Sequence, residues 1–179
     1  GHVATGSVRR KAQLAALRPD LNFHELRGNI ETRLARGTEY DAILISAVAL
    51  VRLGLQPQIV DILEPEFMLP QVGQGALGIE SRAGDDETKE LLTRIQDPVS
   101  RAEVDAERSF LLEIGADCRS PIAAYAIHEQ NQIRLRSLVA SEDGKTVFVD
   151  DRSGNDEIKL GRIAADTLIE SGARNLFHS

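Results

Sequence analysis

The chain has 179 residues and a formal net charge of −7, with 42% hydrophobic and 27% charged residues. That composition is ordinary for a soluble globular chain of one domain or two small ones, and the acidic balance argues against general nucleic-acid binding. The longest apolar run, residues 42–51, is too short to span a bilayer; no secretory leader is apparent, and a single cysteine cannot close an internal disulfide, so a cytoplasmic setting is expected.

Gly1 and His2 read as the remnant of a cleaved tag or as a start partway through a longer chain. Residues 2–5 then predict a strand, and residues 7–19 a helix capped by Ser7 and stopped by Pro19. Residues 21–26 alternate as a strand. Residues 29–37 predict a helix opened by Asn29 and closed at Gly37, residues 41–46 a buried strand, and residues 47–55 a short helix. This β-α-β-α-β-α rhythm implies a mostly parallel sheet covered on both faces. Such sheets bind ligands beyond the carboxyl ends of their strands.

The pattern breaks at residues 56–82, which carry three prolines and three glycines. Residues 64–74 read as a crossing or hinge segment and residues 75–82 as a strand. Residues 85–97 and 98–115 predict amphipathic helices, the second opened by Pro98 and closed by Gly115. Three alternating runs follow, separated by the turn residues QNQ (130–132) and EDGK (142–145), which predicts an antiparallel meander. Residues 157–173 form a closing amphipathic helix. The fold class read from these patterns is α/β: a βαβ domain with a mostly parallel sheet, which resembles periplasmic-binding-protein ligand domains, then a small α+β domain with a three-stranded antiparallel sheet and helices on one face.

Residues 1–36 hold seven basic side chains against three acidic ones. A basic surface on an acidic chain suits a small anionic ligand better than a polymer. Thr5, Gly6 and Ser7 lie between a strand end and a helix start, where backbone N–H groups favour an anion. Arg9 and Arg10 add charge in a form that grips carboxylates with paired hydrogen bonds. Arg27, Gly28, Asn29 and Arg33 repeat the arrangement after the second strand. The plainer alternative is two capped helices with solvated arginines; two such sites side by side favour a ligand with several carboxylates. The glycines at 73, 75 and 78 lack phosphate-loop spacing and read as structural.

The four histidines are scattered with no metal-ligand spacing, so no metal site is expected. Cys118, the only cysteine, sits among Asp117, Arg119, Ser120 and Pro121. A lone cysteine is most often a small buried hydrophobe, but these neighbours suggest an exposed loop in which Arg119 lowers the thiol pKa. No base such as histidine is adjacent in sequence, which argues against Cys-His hydrolysis. A thiol used once, as a permanent covalent anchor, needs no such base.

Six segments in order (TGSVRRKAQL, LRGNIETRL, EYDAILISAVALVRLGL, LPQVGQGALGIESR, AERSFL and DCRSPIAAYA) together resemble the porphobilinogen deaminase family, also called hydroxymethylbilane synthases. The resemblance runs from about residue 3 to the C-terminus. It implies a transferase of porphyrin, heme and other tetrapyrrole biosynthesis that condenses four porphobilinogen molecules into hydroxymethylbilane, with loss of ammonia. It also implies a dipyrromethane cofactor in thioether linkage to Cys118. Thr5, Ser7, Arg9, Arg10, Arg27 and Gly28 match the family's cofactor contacts, and Arg33, Gln74 and Gly75 its substrate contacts.

The resemblance further implies three regions. Residues 1–67 would be most of the central α/β domain, incomplete at its N-terminus; residues 68–97 a crossing segment with a returning piece of the N-terminal domain; residues 98–179 the C-terminal α+β domain. The family's catalytic aspartate lies in the missing part of the N-terminal domain, none of which can be mapped onto this chain. Little or no turnover is therefore expected from this chain alone, unless that domain is supplied in cis or in trans. The full enzyme is expected to be a monomer, without nucleic-acid or membrane partners. Ala49 replaces the usual glycine, and GAD precedes Cys118 where GG is common. Rival readings are a non-enzymatic anion-binding module of the periplasmic-binding-protein type and a regulatory fragment that carries no cofactor.

Overall fold

The computed structural model describes residues 1–116 and 120–176. The first half is a parallel sheet in the order β2-β1-β3, built from β1 (His2–Ala4), β2 (Asn22–His24) and β3 (Ala42–Ile43). Helix α1 (Val8–Leu17) follows β1, α2 (Ile30–Ala35) follows β2 and α3 (Ala47–Arg52) follows β3. Local chemistry sets these starts. The Ser7 hydroxyl accepts from the Arg10 N–H at 3.3 Å and Asn29 Oδ1 from the Thr32 N–H at 2.8 Å, each satisfying a first-turn donor. Strand β3 is shorter than residues 41–46 because its only ladder neighbour is the three-residue β1.

His2 is the first residue of the β1 ladder, opposite Asn22, and its N–H donates to Asp41 Oδ2 at 2.6 Å. The parallel pairing also joins two of the histidines that look scattered in sequence: His2 Nδ1 and His24 Nε2 lie 2.8 Å apart. Among the described residues no group of three metal-ligating side chains forms.

The second half contains α4 (Asp86–Thr93), α5 (Pro98–Ile114), the meander β4 (Ile122–Glu129), β5 (Gln132–Ala140) and β6 (Val147–Gly154), and α6 (Glu157–Glu170). The β4–β5 connection is the two-residue turn Gln130–Asn131, both at positive φ (49° and 68°), the geometry that matches the twist of an antiparallel pair. Alternation along the strands sorts side chains to two faces. Ile122, Ala124, Ala126, Ile133, Leu135 and Val139 meet Phe110 and Ile114 of α5 and Leu160, Ala164 and Leu168 of α6. Phe110 is fully buried there. Where the two helices cross, any side chain on Gly161 would run into the Ala106 carbonyl and the Phe110 N–H.

The opposite face of this sheet is covered in part by the first half of the chain. Ala123, Leu138 and Ala140 pack with Ala12 of α1 and with Leu69. The expected strand at 75–82 does not form. It finds no neighbouring ladder among the described residues, and Leu77 stands 85% exposed. A strand without a partner has nothing to satisfy its backbone.

Candidate anion-binding edge

Three loops meet at the carboxyl ends of the parallel strands. In the order β2-β1-β3 the chain steps from β1 out to β2 and crosses back to β3, so the loops after all three strands gather at one end, the end where such sheets take ligands. Thr5, just past β1, sits at this end: its Oγ1 donates to the Leu44 carbonyl at 3.3 Å and accepts from the Ser7 N–H at 3.3 Å. A Cβ on Gly6 would approach the Leu26 carbonyl to 2.6 Å, so only glycine lets the loops after β1 and β2 touch. The Ser7 and Arg10 N–H groups are thus already bonded within the loop, and the charge available to a ligand resides in side chains.

Arg10 is half-buried and donates to the Leu44 carbonyl at 3.4 Å. Burial, and then the charge of Arg33, hold its pKa below the usual guanidinium range. Arg33 comes from α2 and donates from Nε to the Gly28 carbonyl at 2.8 Å. Gly28 has φ +116°, and a Cβ there would lie 2.9 Å from the Thr32 methyl, so the turn that presents its carbonyl needs glycine. Arg27 lies beside it but is 82% exposed and paired with Glu25 at 2.6 Å.

Arg9 is only 5% exposed. Burial, followed by repulsion from Arg10, lowers its pKa to about 10. It points into the crossing segment: Nη1 donates to the Leu69 carbonyl and Nη2 to Gln74 Oε1 at 3.5 Å. Its Nε is buried without a partner among the described residues. Gln74 Oε1 also accepts from the Gln71 N–H at 3.1 Å, and Gly75 follows at an exposed bend. Arg9, Arg10 and Arg33 thus form one electrostatically coupled group, and among the described residues no carboxylate pairs with any of them. One buried and two half-buried guanidiniums without such a partner suit carboxylates.

Cys118, the expected anchor, lies outside the described residues, as do Asp117 and Arg119. The flanking elements are in place: α5 closes at Gly115 in a left-handed C-cap, and β4 opens at Ile122.

Sequence reasoning missed Gln13 and Glu107. Gln13, four residues after Arg9 and therefore on the same helix face, bonds both backbone groups of Leu69. Glu107, on the buried face of α5 beside Ala106 and Phe110, bonds backbone N–H groups of Gly73 and Ala126. A polar residue inside an apolar helical stripe is the signal that could have found either one.

The described residues thus form an α/β protein: a parallel sheet with a basic strand-end edge, a stretch around Leu69–Gln74 held by Arg9, Gln13 and Glu107, and an antiparallel sheet packed on helices. Residues 1–90 match the family profile described as porphobilinogen deaminase, dipyromethane cofactor binding domain, and residues 101–170 the porphobilinogen deaminase C-terminal domain. Porphobilinogen deaminases of Roseiflexus castenholzii, Brevibacillus brevis and Halalkalibacterium halodurans are 45%, 44% and 44% identical over 97%, 96% and 97% of this chain. These alignments cover 58%, 56% and 57% of the relatives, so the chain spans less than two thirds of their length. The chain belongs to the porphobilinogen deaminase family.

Proposed function

We propose that this chain carries the cofactor- and substrate-holding part of a hydroxymethylbilane synthase, a transferase acting on porphobilinogen in the cytoplasm. The observation that carries the reading is the coupled guanidinium group of Arg9, Arg10 and Arg33 with no carboxylate partner among the described residues. Pyrroles bearing acetate and propionate arms present a row of carboxylates, which guanidiniums match with paired hydrogen bonds. The residues present fit dipyrromethane in charge: Arg10 and Arg33 face the strand-end edge, Thr5, Ser7 and Gly28 shape its floor, and the Cys118 sulfur is the covalent anchor. When bound, the dipyrromethane supplies the primer onto which substrate units are added.

The chain's own residues neutralise acid arms and hold them in register, with Gln74 and Gly75 carrying contacts onto the crossing segment. Arg27 joins only by giving up Glu25, and so contributes less than Arg10. Turnover requires the further length found in the relatives, in cis or in trans. The full enzyme works as a monomer.

Intact-mass measurement of the chain expressed in a porphobilinogen-producing host, beside Cys118→Ser, tests the anchor. The expected result is an added mass of two pyrrole units, absent from the variant. Calorimetric titration with porphobilinogen tests the edge, with binding expected to weaken in salt and in Arg10→Ala. An unmodified Cys118 together with no binding overturns the reading, and a binding chain that never acquires the adduct favours a non-enzymatic anion-binding module.

A further inference from the structure

The crossing segment is held from both sides. From the first half of the chain, Arg9 and Gln13 bind Leu69. From the second half, one side chain on α5 holds Gly73: Glu107 Oε2 accepts from the Gly73 N–H at 2.6 Å and Oε1 from the Ala126 N–H of β4 at 2.8 Å. Glu107 is 6% exposed. Nothing in the proposed chemistry uses this buried acid, and among the described residues no cation pairs with it. Gly73 is the residue before Gln74, whose side chain meets Arg9.

We infer that Glu107 is a positioning residue: its buried carboxyl group ties Gly73 to β4, and so sets where Gln74 meets Arg9 at the edge of the anion site. Gln74 and Arg9 have ligand roles only under the functional reading above; the latch itself does not depend on it.

The groups facing Glu107 define its response to pH. Its own helix contributes Glu103, whose Oε1 accepts from the His128 N–H at 2.8 Å and lies 3.5 Å from His128 Nδ1. The strap and β4 contribute the backbone N–H groups of Gly73 and Ala126. Desolvation outweighs those two hydrogen bonds and raises the carboxyl to about 7, with the charge of Glu103 adding to the rise. A group whose pKa is raised in the closed state stabilises that state below its ordinary carboxyl range, and the contribution is lost as pH rises through about 7. The latch is therefore closed in mild acid and loosens toward pH 8.

Hydrogen exchange of the 179-residue chain between pH 5 and 8, expressed as protection factors, tests this. Gly73 protection is expected to fall on the order of a hundredfold across that range, while Leu69, held by the non-ionisable Gln13, changes far less. Glu107→Gln removes the slope at Gly73, and Glu103→Gln moves its midpoint to lower pH. A flat Gly73 profile, the same slope in Glu107→Gln, or Leu69 and Gly73 falling together overturns the inference. Should Glu107→Gln not fold, the contrast between Gly73 and Leu69 in the unaltered chain decides. No ligand enters this readout: a working latch beside absent porphobilinogen binding sinks only the functional reading, and the reverse result only the latch.

Discussion

Gln13 and Leu69, 56 residues apart, are joined as two strand residues would be: the Leu69 N–H donates to Gln13 Oε1 at 2.8 Å, and Gln13 Nε2 donates to the Leu69 carbonyl at 3.0 Å. One amide side chain thus satisfies both backbone groups of a residue that belongs to no sheet. The Leu69 carbonyl keeps Arg9 if Gln13 is lost, but its N–H has no second acceptor among the described residues. Gln13→Leu is expected to cost about 1–3 kcal/mol, the penalty of one orphaned buried donor, read as a lower urea midpoint with an unchanged denaturant slope.

The β5–β6 turn touches α1 at Gly144. Its φ is +71°, and a Cβ there would approach the Ala12 carbonyl to 2.6 Å and the Ala16 nitrogen to 2.7 Å. Gly84 has a similar φ of +83° with nothing within 4 Å. Gly84→Ala should therefore cost about 1 kcal/mol, the backbone penalty alone, and Gly144→Ala about 2–4 kcal/mol because overpacking is added. Equal thermal shifts for the two variants would show that α1 and the turn do not stay in contact.

Arg10 and Arg33 repel each other in the free chain, and a bound anion would offset that repulsion. Arg33→Ala is expected to weaken porphobilinogen binding roughly tenfold, the loss of about one charge-assisted contact, while leaving the melting temperature of the free chain unchanged or higher. Arg27→Ala should cost less affinity, because Arg27 already has Glu25. Calorimetry at two salt concentrations checks both, and the salt dependence should be smaller in Arg33→Ala.

Overall stability should carry the mark of Glu107. With its pKa raised from 4.5 to about 7, the folded chain binds more protons than the unfolded chain between those values. Its contribution is complete below pH 4.5 and is lost through pH 7, roughly 3–4 kcal/mol in all. From pH 5 to pH 8 the unfolding free energy of the chain should fall by roughly 2–3 kcal/mol more than that of Glu107→Gln, read by chemical unfolding.

Much of the architecture could be read from local signals. Ser7, Asn29, Asp85, Asp97 and Asp156 each cap a helix through a side-chain bond within three residues. The meander follows from alternation and turn residues that act over short spans. The strand expected at 75–82 failed because its apolar residues satisfy the pattern, but a ladder also needs a neighbour that no local pattern supplies. His2 and His24 met for the converse reason: parallel pairing joins positions that sequence spacing keeps apart.

The arginines and Cys118 were visible because charge and a unique thiol are properties of the residues themselves, and their order was enough to mark the family. Only the tertiary structure divided the guanidiniums. It turned Arg9 inward to Leu69 and Gln74, left Arg10 and Arg33 as the charge at the strand ends, and gave Arg27 to Glu25. It also made Gln13 and Glu107 the two clamps of the crossing segment. Helix caps and strand alternation are decided within a few residues, whereas a buried polar group is worth retaining only if a partner arrives from a distant element, and that depends on how the whole chain packs.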